Sequence, residues 1–170
     1  DAQIAKLSIY ITEHQMNEEL SDIFGQVSPT LPFSNALNIR TSNSLHEDWG
    51  SFLNPSGENI YIIGNPPYKG SRTQLDYQKA DMKEVFKNFK NFKNLDYIAC
   101  WFYKASKLIN KFSNIEASFI STNSVIQGES VYLLWPKIFR LKVELFYAHK
   151  TFKWRNNAKD NAKVLCVVLG

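Results

Sequence analysis

The chain has 170 residues, of which 44% are hydrophobic, 14% aromatic and 21% charged. That composition excludes a disordered or collagen-like polypeptide, and the length suits one domain, or two small ones, with a buried core. The net charge of +4 is modest, yet residues 1–60 hold 2 basic and 8 acidic groups, residues 69–111 hold 10 and 4, and residues 137–163 hold 8 and 2.

In chain order, Ile4, Leu7, Ile11 and Gln15 follow helical spacing and predict a helix over residues 1–17, although the β-branched cluster Ile9-Tyr10-Ile11-Thr12 opposes it. Residues 25–35 and 50–59 read as Gly/Pro-rich loops, with a short strand over 36–41 between them. Ile60-Tyr61-Ile62-Ile63 is an apolar run of strand length, and it stops at Gly64-Asn65-Pro66-Pro67-Tyr68. Proline cannot continue a central strand, so the chain must leave the sheet there.

Helices are predicted over 75–88 and 95–112. Between them Lys87-Asn88-Phe89 repeats as Lys90-Asn91-Phe92, a basic connector whose Phe residues are expected to tack onto the core. Residues 116–122 read as a strand, and 129–139 as a helix that Pro136 kinks or ends. Residues 142–149 and 163–169 are the last two predicted strands. Strands alternating with helices predict an α/β sheet covered on both faces. Ligands on such sheets sit at the carboxyl ends of strands, and Asn65-Pro66-Pro67-Tyr68 occupies such an end.

No apolar run approaches the ~20 residues of a membrane span, and no basic-then-apolar leader opens the chain. Cys100 and Cys166 are isolated thiols in apolar contexts, so neither a disulfide framework nor a zinc ribbon is expected and a reducing cytoplasm fits. His14, His46 and His149 lack ligand spacing, so no metal site is expected. Tyr97, Trp101 and Phe102 read as core, and Ser121 and Ser124 have no triad partners. The two basic blocks fit either solvated surface or a phosphate-binding face. The start at Asp1 and the apolar run before Gly170 read as the ends of a piece excised from a longer protein.

The tetrapeptide at 65–68 carries the chemistry. Its two prolines fix φ and remove two N–H donors, leaving backbone carbonyls as acceptors in a rigid frame. Asn65 adds a side-chain carbonyl and Tyr68 an aromatic face. Such a set suits a planar group bearing an NH2, for example the exocyclic amine of adenine, and two acceptors on its N–H bonds free the nitrogen lone pair. Attack on an activated methyl donor then needs mainly positioning and electrostatics. The alternative is an ordinary Pro-Pro turn after a strand.

Ile62-Ile63-Gly64-Asn65-Pro66-Pro67-Tyr68 resembles motif IV of S-adenosylmethionine-dependent amino-methyltransferases. The segments 95–102, 121–129, 134–136 and 148–154 resemble the adenine-N6 DNA methyltransferase domain of large single-chain type II restriction–modification enzymes, as does His14-Gln15-Met16-Asn17. The resemblance covers nearly the whole chain. It implies a Rossmann-like class I methyltransferase fold, with methyl transfer from S-adenosylmethionine to the N6 of an adenine flipped out of double-stranded DNA. It further implies that Asn65 and the Pro66 carbonyl hold the amine and that Tyr68 stacks on the base. Pro67 and Phe152 take base-binding positions, with Trp154 the lesser choice beside Phe152. Asn43 takes the place of the residue that contacts the donor's adenine, where many relatives carry Asp.

The chain also departs from that pattern. No GxG occurs anywhere, so the Gly-rich donor-binding motif I and the acidic residue that comes after it are missing. The fold is therefore expected to be incomplete at its N-terminal strands. On this reading residues 1–170 are the C-terminal part of a catalytic domain, with no target-recognition or nuclease domain, and the rest of the parent polypeptide is the expected partner. By itself such a piece is expected to be inactive. Methylation of an RNA base or a protein glutamine amide, or a non-catalytic nucleic-acid-binding scaffold, are the alternatives.

Overall fold

A computed structural model describes residues 2–25, 39–53, 58–153 and 164–170. The chain divides into two compact units, residues 1–43 and 44–170. The first is built on α1 (Ala2–Phe24), which runs well past the end that the spacing predicts. The hydroxyls of Ser8 and Thr12 donate to the carbonyls of Ile4 and Ser8, each at 2.9 Å, so the polar side chains around the β-branched cluster bond along the helix. Gly25, at φ 69°, ends it with an N–H···O bond to Ser21 of 2.8 Å, a conformation glycine adopts without strain. Of the strand predicted over 36–41, residues 36–38 lie outside the described residues, and 39–41 form no strand. Most of the loop predicted over 25–35 also lies outside them.

The second unit holds a mixed four-stranded sheet of β1 (Ile60–Gly64), β2 (Ile115–Thr122), β3 (Ala148–Lys153) and β4 (Leu165–Leu169), in the order β1-β2-β4-β3. β1 and β2 run parallel, from Ile60 opposite Ile115 to Gly64 opposite Phe119. β4 is antiparallel to both β2 and β3. A parallel pair needs a long crossover, and the segment between β1 and β2 supplies it with α2 (Asp76–Val85) and α3 (Ala99–Lys111).

α2 ends three residues before the predicted 88 and α3 begins four after the predicted 95, and two further elements differ more. Residues 129–139 form two short helices, α4 (Glu129–Leu133) and α5 (Trp135–Phe139), because Pro136 sits in the first turn of α5, where its missing N–H leaves nothing unpaired. The strand expected over 142–149 begins only at Ala148. Lys142 turns the chain at φ 56°, and the N–H groups of Phe146 and Tyr147 both reach the Gly170 carbonyl at 3.0 Å before the ladder starts.

α3 organises the core. Phe102 meets Phe119 of β2 edge to face at 5.3 Å, while Tyr103 stacks on Phe86 at 5.4 Å. Phe89 and Phe92 of the basic connector pack on Phe86 at 5.0 and 6.2 Å. Tyr97 and Cys100 are buried in the same core. Among the described residues, no helix is long and apolar enough to cross a membrane.

Asp81 is a buried carboxylate, 3% exposed, on α2. It accepts the Tyr97 hydroxyl at 2.5 Å and contacts His46 Nε2 at 2.7 Å. Burial, and then the contact with Asp81, hold the Tyr97 phenol far above its usual range. Asp81→Ala leaves that hydroxyl buried without an acceptor. The expected loss is about 1–3 kcal/mol, read as a lower urea midpoint, with a smaller loss for Asp81→Asn, which keeps a carbonyl oxygen in place.

Candidate active site

β1 presents Tyr61 and Ile63 to solvent and half-buries Ile60 and Ile62. The chain then leaves the sheet with Pro66 buried, Asn65 and Pro67 exposed and Tyr68 half-buried. Neither proline has an N–H to offer the ladder, so the segment is anchored through the residues after it. Tyr97 N–H donates to the Lys69 carbonyl at 2.9 Å. The Gln74 amide donates to the Leu95 carbonyl at 3.0 Å, and Ser71 N–H to Asp96 Oδ1 at 3.3 Å. The other oxygen of Asp96 accepts the Ser124 hydroxyl, which lies 2.6 Å from Thr122 Oγ1 at the end of β2. The tetrapeptide is thus held by β1 on one side, and on the other by the start of α3 and the end of β2.

Strand direction decides what gathers around it. The carboxyl ends of β1 and β2 lie at one edge of the sheet, together with the start of β4 and the end of β3. Thr122 and Phe152 are each directly paired with Cys166, so the three side chains share one face. The Tyr68 hydroxyl donates to Asn65 Oδ1 at 2.5 Å, with the buried Cys166 thiol close enough to act on it electrostatically. Burial, with Cys166 adding to it, raises the Tyr68 phenol above its ordinary value. Burial likewise raises the Cys166 thiol, against the pull of the Tyr68 hydroxyl. Both groups therefore stay protonated at neutral pH, and Asn65 Oδ1 keeps a second lone pair for a further donor.

The structure accordingly brings Asn65, Pro66, Pro67 and Tyr68 to the same edge as Phe152. His149 lies edge to face with Phe152 at 5.5 Å. Asn43 is half-buried and belongs to the first unit, while Trp154 lies outside the described residues.

Beside the tetrapeptide is a cleft of 480 Å³, lined by residues 64–67, by Ile62 and Ile63, and by the indoles of Trp49 and Trp101. Ser44 forms part of its wall and is firmly held: Trp49 Nε1 donates to its carbonyl at 2.7 Å and Trp101 Nε1 to its hydroxyl at 3.1 Å. Lys104 secures the same turn by donating to the carbonyls of Ser44 at 3.0 Å, Leu45 at 2.7 Å and Glu47. Burial first, then Lys107, lowers the Lys104 ammonium, with Asp48 and Glu47 opposing. The parts played here by Lys104, Asp96, Ser124 and Cys166 are not legible in the sequence. The one available signal is a lysine set within the apolar stretch of α3.

The family model described as MmeI, DNA-methyltransferase domain matches residues 1–170. The chain is 46% identical over 169 residues to DNA methyltransferase A of Bacillus subtilis (strain 168), covering 98% of this chain and 19% of that protein. It also matches the solved structure of the type IIL restriction–modification enzyme MmeI in complex with DNA. That match has a TM-score of 0.85 at 41% identity, over 99% of this chain and 22% of the other. The chain thus spans about a fifth of the length of these relatives.

A raised phenol stabilises the fold fully below the unfolded-state value of 10.0, and that contribution is lost as the pH climbs through the folded-state value. Tyr68→Phe is therefore expected to lose stability less steeply than wild type above pH 10.0. Urea midpoints measured across that range check it, and parallel curves would show that the Tyr68 hydroxyl is not held protonated by the fold.

Proposed function

The chain belongs to the MmeI DNA-methyltransferase domain family, and from that premise we propose that it carries the base-binding half of an enzyme transferring methyl from S-adenosylmethionine to the N6 of a flipped-out DNA adenine. The observation that carries the reading is the Tyr68 hydroxyl on Asn65 Oδ1, which fixes the Asn65 amide with its oxygen as acceptor at the carboxyl end of β1.

Asn65 Oδ1 and the Pro66 carbonyl would each accept one N–H of the amine, drawing the nitrogen toward tetrahedral geometry. Tyr68 would stack on the base, a contact of about 1–3 kcal/mol, and Phe152 would close on it from β3. Cys166, held as a thiol by burial, is no base, and none is needed before attack, because the proton is shed from the methylated nitrogen afterwards. The donor, when bound, supplies an electrophilic methyl. The cleft beside residues 64–67 fits its adenosyl part, with two indoles and Ile62 as flat and apolar walls. No carboxylate lines that cleft among the described residues, so the ribose hydroxyls would be held from elsewhere. Asn43 is proposed as a donor contact on the family pattern alone.

β1 stands at the edge of the sheet with Tyr61 64% and Ile63 80% exposed. An edge this apolar calls for cover. We take residues 1–170 as the C-terminal part of a Rossmann-like catalytic domain whose remaining strands come from the parent polypeptide. Double-stranded DNA is the proposed substrate, within a restriction–modification enzyme working in the cytoplasm.

The test is labelled-methyl transfer by the full-length parent to DNA, RNA and protein. Label is expected in DNA as N6-methyladenine. Asn65→Ala is expected to lower kcat by about 100-fold or more, the scale of losing one directed hydrogen bond to the reacting group. Tyr68→Ala is expected to raise KM, and Tyr68→Phe to keep most of the stacking. Label in RNA or protein, or none at all from a folded parent, overturns the assignment.

A further inference from the structure

A separate cleft of 410 Å³ lies between α2, the turn Phe92–Asn94 and the loop that comes after Tyr68. Lys79, Lys83 and Lys93 line it, together with Ser71, and none of its lining residues is acidic. Three of the four nearby carboxylates are engaged elsewhere. Glu84 pairs with Lys87 at 2.7 Å, Asp81 is buried against His46 and Tyr97, and Asp96 accepts from Ser71 N–H and Ser124. Asp76 pairs with Lys79 at 3.3 Å from a fully exposed position. Lys83 and Lys93 have no ion-pair partner among the described residues. Lys79 and Lys83 are one helical turn apart on α2, where like charges repel, and a bound anion would relieve that repulsion.

The cleft is also fixed in place relative to the tetrapeptide. Ser71 is three residues beyond Tyr68, so their Cα atoms are at most about 11 Å apart. The Lys69 carbonyl and Ser71 N–H are both tied down, to Tyr97 and Asp96. A nucleic-acid strand carries a charge every ~3.4 Å along its axis, so a strand whose target base rests on Tyr68 has phosphates spaced closely enough for one to fall within that reach.

We propose that the cleft between Lys79, Lys83 and Lys93 holds a backbone phosphate of the DNA strand next to the target adenine. The inference rests on the DNA-methyltransfer reading above and adds a specific phosphate contact to it. The lysines supply charge and Ser71 a hydroxyl. The contact is blind to sequence, and its task is to set the register of the strand as the base leaves the duplex.

The experiment uses the full-length parent and measures DNA affinity against salt concentration. Lys83→Gln combined with Lys93→Gln is expected to reduce the slope of log K against log salt by about 1, the loss of one phosphate contact. The weakening should be equal on cognate and unrelated DNA. Lys83→Arg with Lys93→Arg should retain the wild-type slope, as should Lys142→Gln, whose side chain lines a different cleft. Uncharged methylphosphonates flanking the target adenine should weaken wild type and leave the glutamine variant little changed. Two results overturn the proposal: an unaltered slope in the glutamine variant, or additive effects of variant and methylphosphonate. If the parent methylates DNA while either occurs, only the cleft assignment falls. If the parent neither binds nor methylates DNA, both readings fall together.

Discussion

Two consecutive residues without an N–H, Pro66 and Pro67, are the constraint on which the site depends. They end β1 by leaving the ladder without donors, at the same side of the sheet where β2 also ends. A segment released from a sheet needs other anchors. Here they come from Tyr97, Asp96 and Gln74, which hold Lys69 and Ser71 by side chain or backbone. The rigidity of the tetrapeptide is therefore not its own property. It is transmitted from the N-terminal end of α3, which the core packs firmly against β2 through Phe102 and Phe119.

The same helix carries the second anchoring device. Lys104 has three donors and meets the three carbonyls of Ser44, Leu45 and Glu47. A partly buried ammonium is stable only when its hydration is replaced in this way. The effect is to shape the turn that forms one wall of the cleft beside Asn65. Trp49 and Trp101 complete the wall by donating their indole N–H groups to Ser44. Lys104 also lies over the Trp49 ring at 5.2 Å, which links the two sides of the arrangement.

Much of this fold is legible from local pattern. β1 and β4 are apolar runs of strand length, β2 reads as a strand although it mixes apolar and polar residues, and the break after Ile63 follows from proline chemistry. The tetrapeptide and Phe152 can be named from motif alone. Residues 129–139 are harder, because periodicity continues through Pro136 while the backbone divides in two. The onset of β3 is misplaced by pattern, because the apolar-polar alternation over 142–147 carries no sign of the left-handed turn at Lys142. Lys104 looks like any basic residue on a helix until the turn it caps is known.

The sequence by itself determined the chemistry available: a side-chain amide at 65, backbone acceptors without N–H donors at 66 and 67, an aromatic ring at 68, and a strand to place them at a sheet edge. These are local consequences of residue type and of the few residues on either side. Only the tertiary structure decided that Cys166 lies between Phe152 and Thr122 and acts on Tyr68, and that Asp96 ties the loop at 69–74 to the end of β2. Such pairings depend on strand order and register. Those are set by how distant apolar faces pack together, a property that no window of the sequence contains.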